Sequence, residues 1–266
     1  MEDVITAPAP PSRFFLDDLN NFASPSPPLP SPFLLFSSPT DLQTPLRPPL
    51  LIIAVSSPSL QIFFNLSKKT HIGTLILPEI PFSGNSIEPS LGDKSCNIYS
   101  MDEIMIVTVQ YSVAAERSHA VAKLLIGGGQ IVPERVLILD TVQNKNYRGK
   151  LSPDESIAFK LETSVERKRI NDEQAIVKGI GGYFPSGSVL DGLAAALIGR
   201  CEVKKIKGAL FVSWPETGRP VLSLLKTLLT DVLPSSRQKE IGIAIEELTE
   251  QAGRVKRNRL DSELYT

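Results

Sequence analysis

Residues 48–64 read PPLLIIAVSSPSLQIFF, and this stretch decides the fold. Leu50 to Val55 is a continuous apolar run of strand length, with no polar residue to mark a solvent face. Such a strand is covered on both sides, as in the parallel sheet of an α/β protein. Ser57-Pro58 then supplies a capping residue and a proline at a first helical position, so SLQIFFNL is expected to continue as a helix.

Working outward, IGTLILP (Ile72 to Pro78), EIMIVTVQY (Glu103 to Tyr111), RVLILDTV (Arg135 to Val142) and KGALFVSW (Lys207 to Trp214) read as further strands. Helical spacing joins Val113, Arg117, Val121, Leu124 and Leu125, and the glycines after them end that helix. SVLDGLAAALIGRCE reads as a helix capped by Ser186 or Ser188. Val221, Leu224, Leu225, Leu228 and Val232 form one helical stripe, and Ile241, Ala244, Ile245, Leu248, Ala252 and Val255 form another. This order of elements points to an α/β sandwich with a mainly parallel sheet.

The expected organisation is a single α/β domain over 48–258, with a Pro-rich, largely irregular arm over 1–47 before it and a flexible docking tail over 259–266. More than half of the 22 prolines lie between Pro8 and Pro49, so 1–47 cannot run as helix or central strand. That arm also carries Phe14, Phe15, Phe22, Phe33, Leu34 and Phe36, which suits a segment lying against the folded body or a partner. The stretch EIPFSGNSIEPSLGDKSCN is turn-rich and reads as a surface excursion. The charged, weakly patterned region of about 145–178 reads as a surface insertion.

Composition narrows the function classes. The chain has 266 residues, 42% of them hydrophobic, and a net charge of -1, so bulk charge gives no reason to expect nucleic acid or membrane affinity. Two cysteines, Cys96 and Cys201, support neither a disulfide framework nor a zinc site, and no cofactor or metal is expected. The acidic, proline-rich start lacks the features of a secretory or transit signal, so a cytoplasmic location is expected. RVKRNR (Arg254 to Arg259) is explained by the negative end of a helix dipole and is also compatible with nuclear import.

No catalytic constellation emerges. Gly127, Gly128 and Gly129 follow a helix and precede a strand, the reverse of a dinucleotide loop. Gly179, Gly181, Gly182 and Gly187 precede a helix without a phosphate-binding lysine. His71 and His119 have no adjacent acid or nucleophile, and no G-x-S-x-G elbow is present. The expectation is a protein that is not an enzyme.

The C-terminal residues Leu264, Tyr265 and Thr266 stand out, because an aromatic on a charged tail gains nothing unless it docks. A helix ending near Asn258 would leave a tail able to reach ~27 Å when extended. Leu264 offers an apolar anchor, Tyr265 a ring with a hydroxyl, and Thr266 a carboxylate.

These residues resemble the hydrophobic-tyrosine-any motif by which proteasome activators and assembly chaperones enter pockets between α-subunits of the 20S core. SVLDGLAAALIGRCEVKKIKGALFVSWPE, PPLLIIAVSSPSLQIFF and ERVLILDTVQNKNYRGK resemble core segments of the proteasome assembly chaperone family. The resemblance spans roughly Pro48 to Thr266. It implies a three-layer αβα sandwich related to nucleoside phosphorylases but without their catalytic residues. It further implies a heterodimer with proteasome assembly chaperone 2 that sits on the α-ring and promotes its assembly. Leu264 would pack in an inter-subunit groove, Tyr265 would hydrogen-bond beside it, and the Thr266 carboxylate would pair with a pocket lysine. The alternative is a nucleoside phosphorylase- or hydrolase-like enzyme on the same fold, which a polar pocket at the strand ends would favour.

Overall fold

The computed structural model describes residues 29–37, 44–81, 83–86, 88–152, 155–168 and 175–263, with 251–263 given as helix backbone. Its main unit is Ser31–Thr266. In chain order the elements are β1 (Phe33–Phe36), β2 (Leu50–Ala54), α1 (Ser57–Asn65), β3 (Thr70–Ile76), β4 (Cys96–Met101) and β5 (Ile104–Val109). Then follow α2 (Ala115–Leu125), β6 (Arg135–Thr141), β7 (Ile157–Glu162), α3 (Ser164–Arg167), β8 (Gly182–Tyr183) and α4 (Gly192–Lys204). The last three are β9 (Lys207–Trp214), α5 (Arg219–Val232) and α6 (Ser235–Glu263).

The strands form one sheet in the order β1-β3-β4-β5-β2-β6-β9-β7-β8. Its centre, β5-β2-β6-β9, is parallel throughout, and antiparallel pairs flank it. The apolar run of β2 lies in the middle of this centre, with all five residues buried. Successive strand residues point to opposite faces, so one run feeds two cores. Leu51 and Ile53 join Val107, Ile138 and Leu210 under α2 and α4. Leu50, Ile52 and Ala54 join Ile106, Leu137 and Phe211 under α1, α5 and α6. The architecture is therefore the expected three-layer α/β sandwich, each side chain at zero exposure contributing roughly 1.5–3 kcal/mol of apolar burial.

Three expectations are corrected. First, the region 145–178 is not simply a surface insertion, because Ile157–Glu162 enters the sheet antiparallel to β9, with Phe159 opposite Val212. The strand tolerates charge because its charges are paired. Lys160 Nζ lies 3.3 Å from Glu162 Oε1, and the Tyr183 hydroxyl donates to Glu162 Oε2 at 2.9 Å. The buried Glu166 then accepts from the Ile176 amide at 2.8 Å, which fixes the return of the chain.

Second, a short part of the arm is regular. Phe33–Phe36 adds to β3 as an edge strand, burying Leu34 and Phe36 while Phe33 and Leu35 face outward. Gly73 makes this possible, since a Cβ there would stand 2.8 Å from the Leu35 carbonyl oxygen. Third, the final helix does not end near Asn258. It runs to Glu263, because Arg254–Glu263 contains neither glycine nor proline and is dominated by residues that favour helix. The turn-rich excursion is also shorter than its sequence suggested, since Cys96 and Asn97 already belong to β4.

Candidate functional site

β2, β5 and β6 end side by side, and the chain leaves them in opposite senses. From β2 it passes through α1 on one face toward the β5 side, and from β5 it returns through α2 on the other face to β6. A crevice is expected at such a reversal, outside the carboxyl ends of the strands. Here it is a cavity of about 610 Å³. Val55, Leu60, Val109 and Leu193 give it apolar lining, and Gln110, Asp140, Gln143, Lys145 and Asp191 bring polar groups to it.

Asp140 is the last residue but one of β6. Burial pushes its carboxyl up to about 6, against the pull of a 2.8 Å bond from the Thr141 amide and with a further push from Asp191. Asp191 reaches the cavity because α4 begins later than the sequence suggested. Neither Ser186 nor Ser188 caps it; Asp191 holds the N-cap position, without a side-chain cap bond. Ser188 instead accepts from the Arg148 amide at 2.8 Å, and the Val189 amide donates to the Asn146 carbonyl at 2.8 Å. Asn146 also donates to Asp191 Oδ2 at 2.8 Å, orienting that carboxylate.

The other sequence candidates fall away from this cavity. Gly127 and Gly129 adopt positive φ (70° and 104°) in the turn that ends α2, at the opposite edge of the sheet, where Arg200 Nε donates to the Ile126 carbonyl at 3.1 Å. Gly182 lies in β8, and Gly187 packs against Arg148. His71 and His119 are both exposed, and neither lines the cavity. Cys96 and Cys201 are buried, and burial pushes both thiols up to about 12, far from a nucleophile's range. Among the described residues no group of three His, Cys, Asp or Glu side chains could hold a metal ion.

Leu264, Tyr265 and Thr266 lie outside the described residues; what the structure does describe is the helix that leads to them. α6 spans 29 residues and buries Ile241, Ala244, Ile245 and Leu248 against α5 and the sheet. At its start Arg237 grips the β4–β5 turn, donating to Asp102 at 2.7 Å and 2.8 Å. Glu240 reaches the end of α1 and accepts from the Ser67 and Lys68 amides at 3.0 Å and 3.2 Å. Further along, Arg219 donates to the Thr249 carbonyl at 3.2 Å. The Arg237 hydrogen bonds hold the Asp102 carboxyl below its ordinary range. Burial pushes Glu240 up, but its bonds from Ser67, Lys68 and Arg237 outweigh that and leave it low.

No protein-family model matches the sequence, and no curated protein matches it. Solved structures do. PbaB of Pyrococcus furiosus, an archaeal proteasome activator, aligns with a TM-score of 0.58 at 13% identity, over 86% of this chain and 98% of its own. PbaA of the same organism, an archaeal homologue of proteasome-assembly chaperone, aligns at 0.54 and 14%, over 89% and 98%. This chain has the PbaA and PbaB fold. A Thermoplasma acidophilum protein of unknown function shares it, with a TM-score of 0.50 at 14% identity over 84% and 90%. No described helix is long and apolar enough to cross a membrane.

Proposed function

We propose that this chain is a proteasome assembly chaperone, the plant-type counterpart of proteasome assembly chaperone 1. In this reading it pairs with proteasome assembly chaperone 2, binds 20S α-subunits in the cytoplasm and nucleus, and promotes formation of the α-ring. Leu264, Tyr265 and Thr266 dock in a pocket between α-subunits. The observation that carries the reading is a conjunction. On a fold shared with PbaA and PbaB, α6 stays helical to Glu263, and a hydrophobic-Tyr-X sequence follows directly.

The energetics suit a reversible device. Three residues bury little area, so a single tail binds weakly. Two tails joined in a heterodimer gain avidity of ~10² to 10⁴ without new contacts. The test is recovery of α-ring intermediates, identified by mass spectrometry, on the full chain, on Tyr265→Ala and on a chain lacking 264–266. Recovery is expected to drop sharply for both variants while their melting temperatures stay unchanged. Equal recovery overturns the docking role, and the absence of α-subunits from the full chain's eluate overturns the chaperone reading.

The cavity is the one observation that favours the enzyme alternative. It lies where a nucleoside phosphorylase- or hydrolase-like protein would work, and Asp140 is a carboxyl with a shifted pKa in it. Release of free base from a nucleoside panel, lost on Asp140→Asn, would establish that alternative.

A further inference from the structure

The cavity at the carboxyl ends of β2, β5 and β6 has no part in the docking of Leu264–Thr266. At about 610 Å³ it is in the range of small-molecule sites, and it sits where the fold opens a crevice by topology. Its chemistry has a definite sense. Two carboxylates, Asp140 and Asp191, reach it from different elements, one on β6 and one ahead of α4. One lysine, Lys145, offsets only part of that charge. The same cavity is lined by Val55, Leu60, Val109 and Leu193.

Anions are disfavoured here, although α1, α2 and α4 all start at the cavity. The N-cap residue of α4 is Asp191, so an anion approaching that helix start meets a carboxylate beside the free amides. A phosphate would also face Asp140 across a partly desolvated space, where like charges repel more strongly than in water. A cation or a group of N–H donors meets the reverse situation. It finds two acceptors, one of them pre-oriented by Asn146 at 2.8 Å, and an apolar surface for its body.

We propose that this cavity is a binding site for a small organic cation or amino-substituted ring, its N–H donors on Asp140 and Asp191 and its apolar body on Val55, Leu60, Val109 and Leu193. The proposal concerns binding alone and is independent of the docking of Leu264–Thr266. It also separates the site from a phosphorylase centre, which must accept phosphate. Cationic ligands bind more weakly on acidification through the range where Asp140 gains its proton. Asp191 and Lys145 are the charged groups that line the cavity beside it, with Tyr111 as the remaining titratable neighbour.

Benzamidine, a phenyl ring bearing an amidinium, is the minimal probe of this chemistry, and inorganic phosphate is the counter-probe. Titration calorimetry on the full chain is expected to show saturable benzamidine binding and no phosphate binding. Asp140→Asn and Asp191→Asn are each expected to weaken benzamidine ~10-fold or more, the scale of one charged hydrogen bond. Ala115→Trp, which fills the mouth from the first turn of α2, is expected to abolish it. Thermal melts without probe establish that each variant is folded; should one fail, the other two decide. No benzamidine binding, binding unchanged in the folded variants, or binding of phosphate instead would each overturn the proposal.

Discussion

The carboxyl edge of the sheet and the final helix are built on opposite plans. At the edge, residues from the ends of β5 and β6 and from the approach to α4 line one cavity, with Asp191 oriented by Asn146. Along α6, Arg237, Glu240 and the Arg219 bond to Thr249 hold the helix to its neighbours. One region is arranged to receive, and the other to stay put. The difference teaches that polar residues in this molecule do two separate jobs, and that charge density alone does not tell them apart.

Three changes would break or sharpen that contrast. The largest effect is expected from Ile245→Ala, which opens a gap between α6 and the sheet-side core. It should lower unfolding free energy by about 2–5 kcal/mol in urea titrations, as for other buried aliphatic truncations. A loss within the noise would mean that α6 is not held by its apolar face.

Asp140→Asn should have the opposite sign. The folded-state value of about 6 lies above the unfolded value, so the native state loses stability as pH rises from ~4 to ~6, and the full penalty persists above that. The asparagine variant is expected to be more stable at pH 7, by up to about 3 kcal/mol, with the gain fading by pH ~4. Melting curves across that window check it, and a destabilised variant at pH 7 would assign Asp140 to holding the fold.

The smallest effect belongs to Arg237→Ala. Asp102 and Glu240 are both depressed in the folded state, so their contribution is present above their unfolded values near pH ~4 and is lost as pH falls through the folded ones. The variant should melt lower than wild type at pH 7, less so than Ile245→Ala, and the difference should close on acidification toward pH ~3. A difference that widens in acid would refute the clamp.

Much of the frame was legible from residues alone, for a specific reason. β2, β5, β6 and β9 are covered on both faces, so each announces itself as an apolar run whatever its neighbours are. β7 was not legible, because Lys160 and Glu162 look like surface residues until Tyr183, distant in sequence, arrives to pair with Glu162. β1 was hidden by its prolines and exists as a strand because Gly73 leaves room for it. Among candidate site residues, the tail triplet could be read as a motif, being contiguous. The cavity could not, since Val55, Gln110, Asp140 and Asp191 meet only after the sheet is assembled. Asp191 was further masked by a helix start that sequence placed too early, at Ser186 or Ser188.

The length of α6 carries a consequence beyond reach. In a helix, advance and rotation are locked together, each residue moving the chain ~1.5 Å and turning it ~100°. Leu248 is the last residue of α6 described as buried, and the backbone stays helical from there to Glu263. The number of residues between them therefore sets a compass bearing as well as a distance. Inserting one residue after Gly253 would swing the bearing at which α6 ends by ~100° for an advance of only ~1.5 Å, whereas inserting four would nearly restore it. The last turn of α6 therefore leaves the body in a fixed direction.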